Sequence, residues 1–260
     1  MHGGGADAEV ASAVAAEIVA GGGTAVGDTS DVAAAEGAQR LIDTAVEEYG
    51  RIDILVNNAG IIRWAGPPAA DGDNLASHLA VHVTGSFNTT RAAWPHMVGQ
   101  GYGRVVMTSS TGMFGLPDNL SYATAKAGVI GMTRSLTTAG APYGIKVNVI
   151  APAAFTRMAG QAGGPAVAQM SPDLVAPMVA FLAHESCPVS GEVYAAGAGR
   201  FGRIFIASTE GYVHADQGPT IEDVAAHWAA INDETGYYVP ADLTAWSARF
   251  MAHLRRPPPP

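Results

Sequence analysis

Apolar residues recur at helical spacing over Asp7–Ala20, where Val10, Val14, Ile18 and Val19 form one stripe before Gly21-Gly22-Gly23 ends the run. Thr24–Asp28 reads as a short strand. Ala34–Tyr49 is amphipathic, with Leu41, Ile42, Ala45 and Val46 on one face and Gly50 as its stop. Ile52–Val56 is a continuous apolar run, the mark of a strand buried on both faces of a parallel sheet. The same reading predicts helices at Leu75–Val83, Gly85–Val98, Tyr122–Gly140 and Pro172–His184. Strands are predicted at Gly103–Thr108, Gly144–Ile150 and, last, Glu192–Ala196. A polar tail containing aromatics follows, with helices at Ile221–Ile231 and Asp242–Leu254, and Pro257–Pro260 reads as disordered or extended. Strands alternating with helices imply an α/β fold: a parallel sheet covered on both faces.

Composition narrows the picture. The chain has 260 residues, enough for one large α/β domain, and is 48% hydrophobic but only 14% charged, so its core is large and its surface sparsely charged. A net charge of −9 argues against nucleic acid and against an anionic membrane as partner. Cys187 is the only cysteine, which rules out an intrachain disulfide and fits a reducing compartment. No apolar run has the length of a membrane span, and residues 1–20 lack the basic start and apolar segment of a secretory signal. The expectation is a cytoplasmic protein.

The candidate chemistry lies at the carboxyl ends of the predicted strands, where open parallel sheets bind ligands. Asn57-Asn58-Ala59-Gly60 follows one strand, Ser109-Ser110 the next, and Pro152 to Met158 a third. Tyr122 and Lys126, four residues apart on a predicted helix, stand one turn from each other on one face. With eight tyrosines and two lysines in the chain, such a pair arises by chance only about 0.06 times. An ammonium beside a phenol favours the phenolate, so the pair predicts a lowered Tyr122 pKa and a general acid/base. His184, Glu185 and Cys187 have no partner cluster, so no metal site is expected.

Asn57-Asn58-Ala59-Gly60, Thr108-Ser109-Ser110 and Tyr122-x-x-x-Lys126 together resemble the short-chain dehydrogenase/reductase family over nearly the whole chain. His82, in Val81-His82-Val83-Thr84-Gly85-Ser86-Phe87, stands where most of that family has a catalytic asparagine. That histidine, His184-Glu185-Ser186-Cys187 and the long tail are similar to the (3R)-hydroxyacyl-CoA dehydrogenase unit of peroxisomal multifunctional enzyme type 2 and its bacterial relatives. The resemblance implies a Rossmann-like, doubly wound parallel sheet and hydride transfer between NAD, with NADP left open, and a hydroxyacyl-CoA or hydroxysteroid alcohol. Tyr122 would be the acid/base, Lys126 would tune it and bond the nicotinamide ribose, and Ser110, or alternatively Ser109, would bond the substrate oxygen. His82 would hold a relay water or be a helix-facing core histidine. Asn58, Ala59 and Gly60 would line the cofactor channel, Asp31 and Val32 would sit by the adenine, and Pro152 to Thr156 would flank the nicotinamide. Small-molecule substrates and a homo-oligomer are implied as partners.

One part of the family pattern has no counterpart. Gly3-Gly4-Gly5 follows no strand, so the first two strands and the glycine-rich turn that cradles the pyrophosphate are missing from the reading. The expectation is a single short-chain dehydrogenase domain over residues 1–260, incomplete at its start, with a C-terminal extension at 200–256 and a disordered tail at 257–260. The alternative function is a non-catalytic truncated homologue that works by association with an intact subunit.

Overall fold

The structure is a computed structural model that describes residues 8–156, 169–215 and 218–255. Gly3–Gly5, Met158 and Pro257–Pro260 lie outside the described residues. The chain divides into two compact units, Met1–Arg203 and Ile204–Pro260.

The first unit is built on a sheet of five strands: β1 (Ile54–Asn57), β2 (Gly103–Thr108), β3 (Ile145–Pro152), β4 (Val193–Gly197) and β5 (Arg200–Ile204), in that spatial order. The pairs β1–β2, β2–β3 and β3–β4 are parallel, with Val56 opposite Val106, Val106 opposite Asn148 and Ile150 opposite Tyr194. Only Ala198 and Gly199 join β4 to β5, both with positive φ, the mirror-image turn that connects antiparallel neighbours. This last strand was not anticipated, because Arg200-Phe201-Gly202-Arg203 carries no apolar run.

Helices cover the middle of the sheet on both sides, giving a parallel-dominated, Rossmann-like α/β fold. The helices of this unit are α1 (Ala8–Ala20), α2 (Ala35–Tyr49), α3 (Gly72–His78), α4 (Ser86–Gln100), α5 (Leu120–Gly140) and α6 (Ala176–Ala183). Side-chain alternation sorts the two faces. Val106 and Ile150 pack with Val175, Leu182, Ala183 and Cys187 on the α6 side. Met107, one residue along, meets Asn57, whose side chain is hydrogen-bonded to Thr89 and Thr90 of α4. Every residue of β2 is buried.

Two expectations fail at the opposite edge. Residues 24–30 form no strand, since a strand needs a partner ladder and none lies beside them among the described residues. β1 is not buried on both faces: Leu55 and Asn57 point in, while Ile54 and Val56 are exposed. α1 buries none of its residues, and Val10, Val14, Ile18 and Val19 are all exposed.

Between α3 and α4 the helix does not break. Leu79–Gly85 continues in π-helical form, a widening that places His82 inside the turn. The second unit contains α7 (Ile221–Ala226), α8 (Trp228–Ile231) and α9 (Leu243–Phe250). Thr220 and Asp223 close a capping box on α7, and Trp246 stacks on Phe250 at 4.6 Å.

Candidate active site

β2 delivers Thr108, Ser109 and Ser110 at its carboxyl end, and α5 starts close enough to return Tyr122 and Lys126 to the same place. The Ser110 side chain accepts a hydrogen bond from the Gly112 backbone at 3.0 Å and stands near enough to the Tyr122 phenol to pull its pKa downward. A Cβ on Gly112 would sit 3.1 Å from Tyr122 Cε1 and 3.2 Å from Ser110 Oγ, so the turn is tight around both groups. Ser109 does something else. Its hydroxyl donates to the Lys126 backbone carbonyl at 2.8 Å and is buried, which ties β2 to α5. The geometry therefore separates the two serines: Ser110 is on the phenol, Ser109 on the helix backbone.

Lys126 is 3% exposed, and its Nζ donates to the Thr108 carbonyl at 2.8 Å, standing 5.7 Å from the Tyr122 ring centre. Burial lowers the Lys126 pKa to about 8. The Tyr122 pKa moves opposite to the sequence expectation: burial raises it, with the Ser110 hydrogen bond pulling the other way. A buried phenolate loses more hydration than an ammonium held by a carbonyl returns to it.

His82 is buried at 1% exposure, with its ring centre 5.5 Å from that of Tyr122. Its Nε2 lies 2.8 Å from the Ile61 carbonyl and 3.3 Å from the Ile61 amide. One nitrogen cannot serve both, and a bare Nε2 would put two lone pairs together at the shorter distance, so Nε2–H donates to the carbonyl. Nδ1 is then a bare acceptor, and no described residue partners it. Burial, followed by the Lys126 charge, lowers the His82 pKa to about 4, so the ring is neutral. A Cβ on Gly60 would come 2.7 Å from His82 Cε1, so this ring is what requires glycine at the end of the Asn-Asn-Ala-Gly turn.

The two asparagines divide as the serines do. Asn57 is buried against Thr89 and Thr90, whereas Asn58 is exposed and accepts from Thr108 Oγ1 at 3.3 Å. Ala59 is exposed beside it. Asp31 caps its own turn through Ala33 N at 2.9 Å, and the Val32 carbonyl accepts from Asn88 of α4 at 3.3 Å. Pro152 ends β3 opposite Ala196, and Thr156 is exposed.

His78 escaped the sequence reading although it stands four residues before His82, a spacing that could have revealed it. It is fully buried, its ring 6.0 Å from that of His82 and edge-on to Tyr122 at 6.1 Å. Its Nδ1–H donates to Asn74 O at 2.7 Å and its Nε2 accepts from the Arg63 amide at 3.2 Å, which fixes the neutral tautomer. Trp64, 6.5 Å from Tyr122 and half exposed, was missed as well. Among the described residues no cluster of three or more His, Cys, Asp or Glu could hold a metal ion.

The donors fit the nicotinamide end of a dinucleotide. A buried ammonium has three N–H bonds, and the Thr108 carbonyl accepts one, leaving donors for a ribose hydroxyl beside the phenol. The pyrophosphate end finds no match among the described residues: no glycine-rich turn leads from a strand into a helix there. The first turn of α2 carries Glu36, with Asp31 just before the helix, and both repel an anion.

The sequence profile described as short chain dehydrogenase matches residues 5–163. The chain is 40% identical over 234 residues to a short-chain type dehydrogenase/reductase of Mycobacterium tuberculosis, covering 89% of this chain and 82% of that one. It is 36% identical to the peroxisomal hydratase-dehydrogenase-epimerase of Saccharomyces cerevisiae, covering 90% of this chain but only 26% of the larger protein. Against full-length peroxisomal multifunctional enzyme type 2 of Drosophila melanogaster the TM-score is 0.82 at 31% identity, with 94% of this chain and 43% of that chain covered.

Proposed function

The chain belongs to the short-chain dehydrogenase family of NAD(P)-dependent oxidoreductases, and we propose that it oxidises the alcohol of a hydroxyacyl-CoA or hydroxysteroid, or reduces the matching ketone. The observation that carries this reading is the convergence of Ser110, Tyr122 and buried Lys126 at the end of β2. In oxidation the C–H bond of the carbinol breaks with its electron pair and the O–H bond loses its proton. NAD(P), when bound, supplies the hydride acceptor. Tyr122 Oη takes the proton in its phenolate form, having first passed its own proton toward solvent, and the Ser110 hydroxyl bonds the oxygen as it becomes a carbonyl. Lys126 holds positive charge beside the phenol and offers donors to the ribose. Neutral His82 presents Nδ1 as an acceptor for a relay water. Asn58, Ala59 and Gly60, with Pro152 to Thr156, would edge the cofactor at the strand ends, and Asp31 and Val32 would lie toward the adenine.

The acyl or steroid class draws on the likeness of His82 and the His184–Cys187 segment to the peroxisomal unit, and on the peroxisomal relatives. NAD is favoured over NADP by that same likeness. Homo-oligomerisation is part of the proposal, supported by an apolar hollow between the outer faces of α4 and α5 lined by Phe87, Trp94, Pro95, Met132 and Leu136. Cytoplasmic residence is supported by the single, buried, free cysteine Cys187. No helix among the described residues is long and apolar enough to cross a membrane.

The test is a panel of 3-hydroxyacyl-CoA thioesters and hydroxysteroids with NAD or NADP at millimolar concentration, followed by absorbance of the reduced nucleotide. Turnover of one class, abolished by Tyr122→Phe, is expected. A second reading is favoured by the bare edge at α1 and β1: a chain that acts in association with another subunit. Absence of turnover by the chain alone, with turnover restored in a mixed assembly, would favour it.

A further inference from the structure

Three rings surround Tyr122, and they are not equivalent. His78 and His82 are 0% and 1% exposed, whereas Trp64 is 52% exposed. Of the three rings beside the phenol, only Trp64 reaches solvent. Leaving half an indole in water beside a buried acid/base is unfavourable unless something covers it.

The backbone on either side of Trp64 is held firmly. Before it, the Arg63 amide donates to His78 Nε2 at 3.2 Å, and the Arg63 carbonyl accepts from Asn74 Nδ2 at 3.2 Å. Because His78 is itself fixed by Asn74 O, that anchor runs back into α3. After it, Ala65 pairs with Asn119, and Gly66 lies so close to the Pro117 carbonyl that a Cβ would be 1.9 Å from it. Asn119 is in turn bonded to Gly112 O at 2.9 Å and to Leu116 N at 2.8 Å. Two buried-side anchors thus hold a ring whose own surface is open.

The neighbours indicate what the ring accepts. Phe114 and Leu116, on the segment that anchors Ala65, are exposed apolar side chains. A tryptophan face also attracts cations, but a cation here would face the exposed Arg63 next in sequence and the Lys126 ammonium behind Tyr122. An uncharged group avoids both and gains the apolar contact.

We propose that Trp64, positioned by His78 and by the Ala65–Asn119 bridge, is the specificity wall of the substrate site and receives an uncharged apolar group attached next to the reacting carbon. This rests on the dehydrogenase reading and names the part of the substrate that the site selects. In a hydroxyacyl thioester the group is the alkyl chain. In a steroid it is the ring skeleton.

The experiment compares wild type, Trp64→Ala and Trp64→Phe on 3-hydroxybutyryl-CoA and 3-hydroxypalmitoyl-CoA with NAD, measuring kcat/KM for turnover and, separately, calorimetric affinity for each thioester. Trp64→Ala is expected to lose about tenfold on the palmitoyl substrate, mainly in KM, and less than about twofold on the butyryl one, while Trp64→Phe keeps most of the preference. His78→Leu should erode the same long-to-short ratio, which a purely structural loss would leave unchanged. Equal losses on both thioesters, or none, overturn the proposal. A chain that discriminates the two in binding through Trp64 without turning them over would sink the dehydrogenase reading and leave Trp64 standing. Absence of both binding and turnover overturns the two together.

Discussion

The interior of this sheet and its β1 edge are built differently. At β2 and α5 the strand is wholly buried, Lys126, Ser109 and His82 are all but inaccessible, and each bonds a named backbone group. At α1 and β1 the apolar side chains Val14, Ile18, Ile54 and Val56 face outward, and the 24–30 segment pairs with nothing in the sheet. Apart from the bare His82 Nδ1, the first region meets its own hydrogen-bonding needs, and it has donors left over for a ligand. The second has apolar surface that its own unit does not cover. The difference predicts that catalysis and nucleotide affinity are separable here: Ser110, Tyr122 and Lys126 are brought together, whereas the described residues offer no cradle for the phosphates.

The largest effect is expected from the built region. Tyr122→Phe removes the proton carrier and should cost about 10³-fold or more in turnover, within the range of a lost general acid/base, with the circular dichroism spectrum unchanged. Retention of more than a tenth of the activity would undo the assignment of the site.

Next come two titratable groups whose burial has a pH signature. Lys126 loses its proton at about 8 in the folded chain against 10.5 when exposed. Between those values the unfolded chain binds more protons, so stability rises with pH across that window, by about 3 kcal/mol in full. Urea denaturation at successive pH values should show this rise in wild type and not in Lys126→Met. His82 gives the acid counterpart. Its pKa is lowered from 6.5 to about 4, so its contribution is present above 6.5 and is lost as pH falls toward 4. His82→Gln should lack this part of the acid loss, again about 3 kcal/mol at most. Parallel curves for variant and wild type would mean that these groups are hydrated and that the region is not built as described.

The serines sharpen the comparison within the site. Ser110→Ala should lower turnover about 10²-fold, as expected of a donor to a reacting oxygen. Ser109→Ala should cost about 1 kcal/mol of stability and little turnover, because its bond runs to the Lys126 carbonyl. At the bare edge, Val14→Lys should change stability by less than about 0.5 kcal/mol and leave turnover alone, as exposed substitutions do. A large effect there would show that α1 is covered after all.

Much of this division is legible in the residues, and the gaps have physical causes. The apolar runs at 103–108 and 144–150, and the Tyr122–Lys126 spacing, encode local structure directly, and those elements form. Ile52–Val56 reads as buried because a run of apolar residues looks the same whether or not a neighbour covers its second face. The π-helical widening at His82 has no residue signature. Ser110 and Ser109 are indistinguishable until the strand fixes which hydroxyl faces α5. The Tyr122 shift runs opposite to expectation because burial is a property of the assembled fold, whereas the lysine four residues away is visible in the sequence. His78 was within reach of the i to i+4 rule, but both its bonds are to backbone atoms that only the fold brings near.

The most direct test of the separation between a complete phenol end and a bare phosphate end is a calorimetric titration of the purified 260-residue chain with NAD. Backbone amides at a helix start and the positive end of its dipole hold the pyrophosphate in dinucleotide folds, and no described residue supplies them here. The expected Kd is about 1 mM or weaker, corresponding to about −4 kcal/mol, from contacts at the nicotinamide and its ribose alone. Micromolar binding by the chain as a monomer would contradict the account and direct attention to Gly3–Gly5 as a phosphate cradle.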